Sequence, residues 1–224
     1  MKIALFGGRF DPIHNGHLAV AAEVLKTHAA DEVWLSIENQ HQWRPIVASA
    51  EDRKNMAELA IASVISSLAN EKSQEDLSAS LRDDKKEWIP VQARDDTLKG
   101  KLKVDMTPVE LGGLTETIKV VRRLREKYSE YEFVFVVGSD QLPTFHKWSH
   151  WEELLKEVRF LIVARKNSPL ENIPANATVI SGATYEPLED SATRIREFIK
   201  MGKSIHGLVP LKVEEYITKH KLYQ

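Results

Sequence analysis

Hydrophobic and polar positions along this chain alternate between two periods. Ile3, Ala4, Leu5 and Phe6 form a continuous apolar run that stops at Gly7 and Gly8, the pattern of a buried strand. Leu18, Ala21, Ala22 and Leu25 then recur at helical spacing, with Asn15 placed to cap. Val33 to Ile37 (VWLSI) reads as a second strand. A strand, a helix and a strand in fewer than about 40 residues imply a right-handed parallel crossover. A polar loop follows, and then a helix over 49–68 with Met56, Leu59, Ala60 and Val64 on one face. Ser49 and Asp52 at its start resemble a capping box.

The pattern lapses over about 70–103. Glu, Lys, Asp and Ser dominate there, with one apolar island at 88–91, so this stretch reads as a charged insertion in a single domain of residues 1–224. Regular alternation resumes with a short strand at 102–106 and a helix at 115–127. The clearest buried strand is 133–137, ending at Gly138, and a short helix at 150–157 follows it. Strands at 160–164 and 178–180 come next. Helices at 191–201 and 210–219 finish the chain, the second starting at Pro210. Strands alternating with helices predict an α/β protein with a Rossmann-like open parallel sheet covered on both faces.

Composition narrows the classes of partner. A length of 224 residues suits one such domain. The net charge of −2 means that a phosphate-bearing ligand has to be met by local cations rather than a basic field, and no nucleic-acid partner is expected. No apolar run is long enough to span a bilayer, and the first residues lack a signal-peptide pattern. The absence of cysteine excludes disulfides and thiolate metal sites. A cytoplasmic protein without a membrane partner is the expectation.

Ligands of an open parallel sheet lie beyond the carboxyl ends of its strands, which directs attention to the loops after the first, second and fourth. Glu38 sits near the position that binds ribose in dinucleotide folds. The dinucleotide fingerprint itself fails, because Gly7 and Gly8 are followed by a bulky loop before Gly16. Gly202, Lys203 and Ser204 end like a Walker loop, but Glu197 occupies the earlier glycine position. What is left is a loop that can lay phosphates against a helix start. Gly7 and Gly8 permit close backbone approach, the helix N-terminus attracts anions, and His14 and His17 fall on one side of the first turn. Arg9 could reach the same phosphates or lie on the surface. His146 and His150 read as loop and surface histidines rather than half of a zinc site.

The run GGRFDPIHNGHL resembles the H-x-G-H motif of the nucleotidylyltransferase superfamily, and its long form resembles nicotinate-nucleotide adenylyltransferases. The block DSATRIR at 190–196 is similar to that family's I-S-S-T-x-I-R. Gly138, Ser139 and Asp140 with Trp148, and the tail 209–223, agree with it too. The resemblance spans the chain apart from about 70–103. It implies transfer of AMP from ATP to nicotinate mononucleotide, giving nicotinate adenine dinucleotide and pyrophosphate in NAD synthesis. Mg²⁺ would come with the ATP, held by its phosphates and not by a protein cage. By the same resemblance His14, His17 and Arg196 are catalytic. Gly7, Gly8, Phe10, Gly16, Gly138, Asp140, Ser191 and Thr193 bind ATP, and Trp148, Ser149, Thr117 and Arg44 bind the pyridine nucleotide. Three positions depart from the family pattern: Ala192 replaces a second serine, the 38–44 loop (ENQHQWR) lacks Pro-His-Lys, and Lys119 stands where an acid is common. The alternatives are another acceptor, such as nicotinamide mononucleotide or phosphopantetheine, and a non-catalytic nucleotide sensor. The oligomeric state is left open, a homo-oligomer included.

Overall fold

The computed structural model describes residues 1–71, 98–164, 168, 170–180 and 192–224, with the side chains of 66–71 excepted. Six strands form one parallel sheet: β1 (Lys2–Gly8), β2 (Glu32–Ile37), β3 (Leu102–Asp105), β4 (Glu132–Gly138), β5 (Arg159–Val163) and β6 (Ala177–Ile180). Their spatial order is β3-β2-β1-β4-β5-β6. The order reverses between β1 and β4, whose first residues pair as Lys2 with Glu132 and Leu5 with Phe135. Loops leaving these two strands therefore diverge and open a crevice above the sheet, the usual place for a ligand in such folds.

Alternation along each strand feeds two cores. Ala4 and Phe6 of β1 and Val33, Leu35 and Ile37 of β2 pack against α1 (Asn15–Lys26), α2 (Ala50–Glu71), α6 (Ala192–Lys200) and α7 (Leu211–Lys219). Ile3, Leu5, Trp34 and Phe133 point the other way, toward α4 (Thr117–Lys127), α5 (Trp151–Glu157) and a 3₁₀ segment, Ser139–Lys147. The expected box at the start of α2 is present: the Ser49 hydroxyl accepts from the Asp52 amide at 3.0 Å. Two elements were not foreseen, the 3₁₀ segment and α3 (Thr107–Leu111). Both are short and contain proline, which hides helical periodicity. Among the described residues no helix is long and apolar enough to cross a membrane.

The charged stretch expected as an insertion over about 70–103 is narrower at its ends. α2 runs through Glu71, Leu98 is buried, and β3 begins at Leu102. The Lys101 carbonyl accepts from the Val33 amide at 2.9 Å, so backbone pairing outweighs the local polarity of the sequence. The apolar island at 88–91 lies outside the described residues.

Candidate functional site

A cleft of about 350 Å³ opens where β1 and β4 part. Gly7 and Gly8 form its floor. A Cβ at Gly7 would stand 2.8 Å from the Phe135 ring of β4, which would have to shift, and one at Gly8 would press on the Phe10 ring at 3.1 Å. Phe10 takes a positive φ of 48°, rare for a bulky residue, and turns its ring inward.

His14 and His17 meet at the start of α1, ring centroids 3.7 Å apart and tilted by 32°. The His14 backbone N–H donates to His17 Nδ1 at 3.2 Å. In the neutral ring this leaves the proton on Nε2, so His17 presents a donor. Phe10 and Phe6 wall the His17 ring at 4.9 and 5.9 Å. The helix start is itself pinned, because the Asn15 side chain and backbone N–H donate to Gly207 and Leu208 carbonyls at 2.8 and 3.0 Å.

Behind this loop lies a buried charged scaffold. Asp11, fully buried, accepts from the backbone N–H groups of Val47 and Ala48 at 2.7 and 3.0 Å and from the Tyr223 hydroxyl at 2.9 Å. Arg53, 1% exposed, donates to the carbonyls of Arg9, Glu38 and Ala48 at 2.9, 2.6 and 3.2 Å. One guanidinium thus ties the β1–α1 loop to both ends of the β2–α2 loop. Burial and the charge and hydrogen bond of Asp11 push the Tyr223 hydroxyl far above its ordinary range, so it stays a donor at all working pH values.

Cations gather at the mouth. Burial first, then Arg196 and Arg44, pull the Arg9 guanidinium below its usual value, and burial, Arg9 and Arg44 do the same to His41. Like charges collected this way suit a polyanionic ligand. Opposite them stands Glu38, whose pKa burial raises to about 7 against the downward pull of Arg9 and Arg53. Its Oε2 is buried without a hydrogen-bond partner.

That raised pKa has a consequence for stability. A carboxyl whose folded pKa exceeds its unfolded value stabilises the fold below about pH 4.5, and the contribution is lost as pH rises through 7. Glu38→Gln should therefore gain about 3 kcal/mol on the wild type between pH 4.5 and 8.5. Urea midpoints at the two pH values check this, and parallel midpoints would refute it.

The structure brings most of the expected residues to this cleft: His14, His17, Gly7, Gly8, Gly16, Gly138, Asp140, Trp148, Ser149, Thr117 and Arg44 all line it. Trp148 stacks edge-on to Phe135 at 6.0 Å, and Phe135 is the ring that covers Gly7. The Ser149 hydroxyl donates to Glu116 at 3.0 Å, which also pairs with Lys119. The lysine found where an acid is usual is thus neutralised one turn from the site. Phe10 is not part of the lining: it is buried, with its ring packed edge-on to His17. Arg196 and Thr193 also stand back from the lining. Arg196 donates to the Asp11 carbonyl at 2.6 Å and to the Thr193 hydroxyl at 3.2 Å, while Ala192 reaches the cleft. Ser191 lies outside the described residues. Arg9 and Glu38, weighed above for a phosphate and a ribose, line the cleft, and so do His41 and Thr115, which were not singled out. For His41 and Thr115 the only signal was their place in loops after β2 and before α4. His150 pairs with Glu153 at 2.9 Å, and no metal-binding cluster of three or more His, Asp or Glu occurs among the described residues.

Comparison with known proteins agrees with this geometry. The profile of the cytidylyltransferase-like family matches residues 5–198. A probable nicotinate-nucleotide adenylyltransferase of Bacillus cytotoxicus is 31% identical over 226 residues, covering 100% of this chain and 98% of its own. The nicotinate-nucleotide adenylyltransferase of Bacillus subtilis is 29% identical over the same span and coverage. The solved structure of Plasmodium falciparum nicotinic acid mononucleotide adenylyltransferase complexed with APC superposes with a TM-score of 0.72 at 20% identity, covering 99% of this chain and 96% of that one.

Proposed function

We propose a function from one premise: this chain belongs to the cytidylyltransferase-like family, on its nicotinate-nucleotide adenylyltransferase branch. It transfers AMP from ATP to nicotinate mononucleotide, releasing pyrophosphate and forming nicotinate adenine dinucleotide. The observation that carries this reading is the pairing, in one cleft over the β1–β4 parting, of a two-histidine phosphate corner with an aromatic platform at Trp148.

The chemistry follows from positioning and charge. A phosphate oxygen of the mononucleotide attacks the α-phosphorus of Mg·ATP in line; that P–O bond forms as the bond to the β-phosphate oxygen breaks, and the electron pair leaves with pyrophosphate. His17, donating through Nε2, and His14 beside it stabilise the charge that grows on these oxygens. Arg9, Arg44 and Arg196 supply the surrounding positive field. Asp140 takes ribose hydroxyls, and Trp148 stacks on the pyridine ring. Mg²⁺ enters as the salt of ATP, bound through its phosphates. The cytoplasmic expectation is kept.

Purified protein given Mg·ATP and nicotinate mononucleotide should release one pyrophosphate for each dinucleotide formed, followed by a coupled phosphatase. Nicotinamide mononucleotide and phosphopantetheine run as parallel arms. Faster release with either would change the acceptor, and ATP binding without release in any arm would overturn the enzyme reading in favour of a sensor.

A further inference from the structure

Glu38 is the cleft's unexplained group. Its backbone is fixed on both sides: the N–H donates to the Gly8 carbonyl at 3.0 Å and the carbonyl accepts from Arg53 at 2.6 Å. The side chain therefore has a settled origin, yet Oε2 is buried with no partner. A buried carboxylate oxygen left in this way is costly unless something supplies a donor. Gln40 and Arg9 share its surroundings, but neither completes it.

Its direction follows from the strand before it. Trp34 and Ser36 of β2 face the α4 side of the sheet; Trp34 belongs to that core, and the Ser36 hydroxyl donates to Asp105 at 2.6 Å. Glu38 is the next position in the alternation. The loop that follows is fastened to the same side, with the Asn39 amide donating to the Thr115 hydroxyl at 2.8 Å and the Thr115 amide to the Gln40 carbonyl at 3.1 Å. Thr117, Phe135 and Trp148 line the cleft on that side, whereas His17 leans on Phe6 and Phe10 of the opposite core. Glu38 thus belongs with the pyridine platform.

Charge disfavours a phosphate as its partner, because the ionised carboxylate repels one. A neighbouring pair of hydroxyls fits: two O–H donors meet two carboxylate oxygens, the usual carboxylate reading of a ribose at the end of a second strand. Of the other carboxylates lining the cleft, Glu116 is committed to Lys119 and Ser149, and Asp140 stands after β4 on the far side of the parting. A reaction that joins two nucleotides brings two riboses to this crevice. We propose that Glu38 receives the 2′- and 3′-hydroxyls of the acceptor mononucleotide and so restricts the acceptor to ribonucleotides. This rests on the functional reading above. Burial keeps the carboxyl partly protonated, and hydroxyl donors would favour its ionised form.

Tryptophan-fluorescence titrations test it, using nicotinate mononucleotide and its 2′-deoxy and 3′-deoxy forms against wild type, Glu38→Gln and Glu38→Ala. Circular dichroism confirms that each variant is folded. Wild type should bind the ribonucleotide about tenfold more tightly than either deoxy form. Glu38→Ala should bring all three to equal affinity, about tenfold weaker than wild type for the ribonucleotide, and Glu38→Gln should fall between. ATP affinity should stay within about twofold in both. A ribose preference that survives in Glu38→Ala, or a loss that falls on ATP instead, overturns the assignment while leaving the enzyme reading intact. A wild-type protein that binds ATP and no pyridine mononucleotide overturns both.

Discussion

Replacing His17 by alanine is expected to lower turnover by about 10²–10⁴-fold with little change in fold. The size follows from what the ring does. Its Nδ1 is held by the His14 amide at 3.2 Å, so its remaining N–H has one direction, and Phe6 and Phe10 exclude water from its flanks. A donor fixed in this way requires no reorganisation as charge develops on the phosphates. The variant loses one backbone-to-ring hydrogen bond, worth about 1 kcal/mol, so its melting temperature should shift by only a few degrees. His14→Ala combined with His17→Ala should cost less than the sum of the single losses, since the adjoining rings act as a unit. Steady-state kinetics with a melting curve for each variant checks this, and His17→Ala turnover within tenfold of wild type would remove the histidine corner from the mechanism.

Arg53→Met should be the most destabilising single change near the site, by about 3–5 kcal/mol. The side chain is buried and bonds three carbonyls, and the Asp11 carboxylate is among the opposite charges that offset its burial. Removing it leaves those carbonyls short of donors and an acid buried with less compensation. For a chain of this length the melting temperature should fall by on the order of 10 °C. Lysine should rescue little, because a single ammonium cannot spread over three carbonyls as a planar fork does. A thermal melt reads the effect directly, and a shift under about 3 °C would show that the loops are held by something else.

The sheet was legible because five of its strands are apolar runs bounded by glycine or charge, and burial on both faces leaves no other reading of VFVV-type segments. The histidine corner was legible for a related reason. Gly7, Gly8, His14 and His17 sit close together in sequence, so one strand-to-helix turn displays them all. The scaffold behind them was not. Arg53 looks like one more charged residue on a polar helix face, and Asp11 like part of a turn. Their partners lie at 9, 38, 48 and 223, and no local pattern announces contacts of that range. The burial of Phe10 was hidden for a similar reason. A motif shows that a residue is needed but not which way it faces, and here a positive φ turns the ring inward.

The bond from Tyr223 to Asp11 spans 212 positions of chain. With Asn15 held by Gly207 and Leu208, and Asp11 by Arg196 as well, this motif is fastened by residues synthesised long after it. Local contacts can form while the chain is still growing, but these cannot. The nucleotide corner is therefore finished late in folding, and a nascent chain carrying every histidine and glycine of the motif does not yet hold them in place.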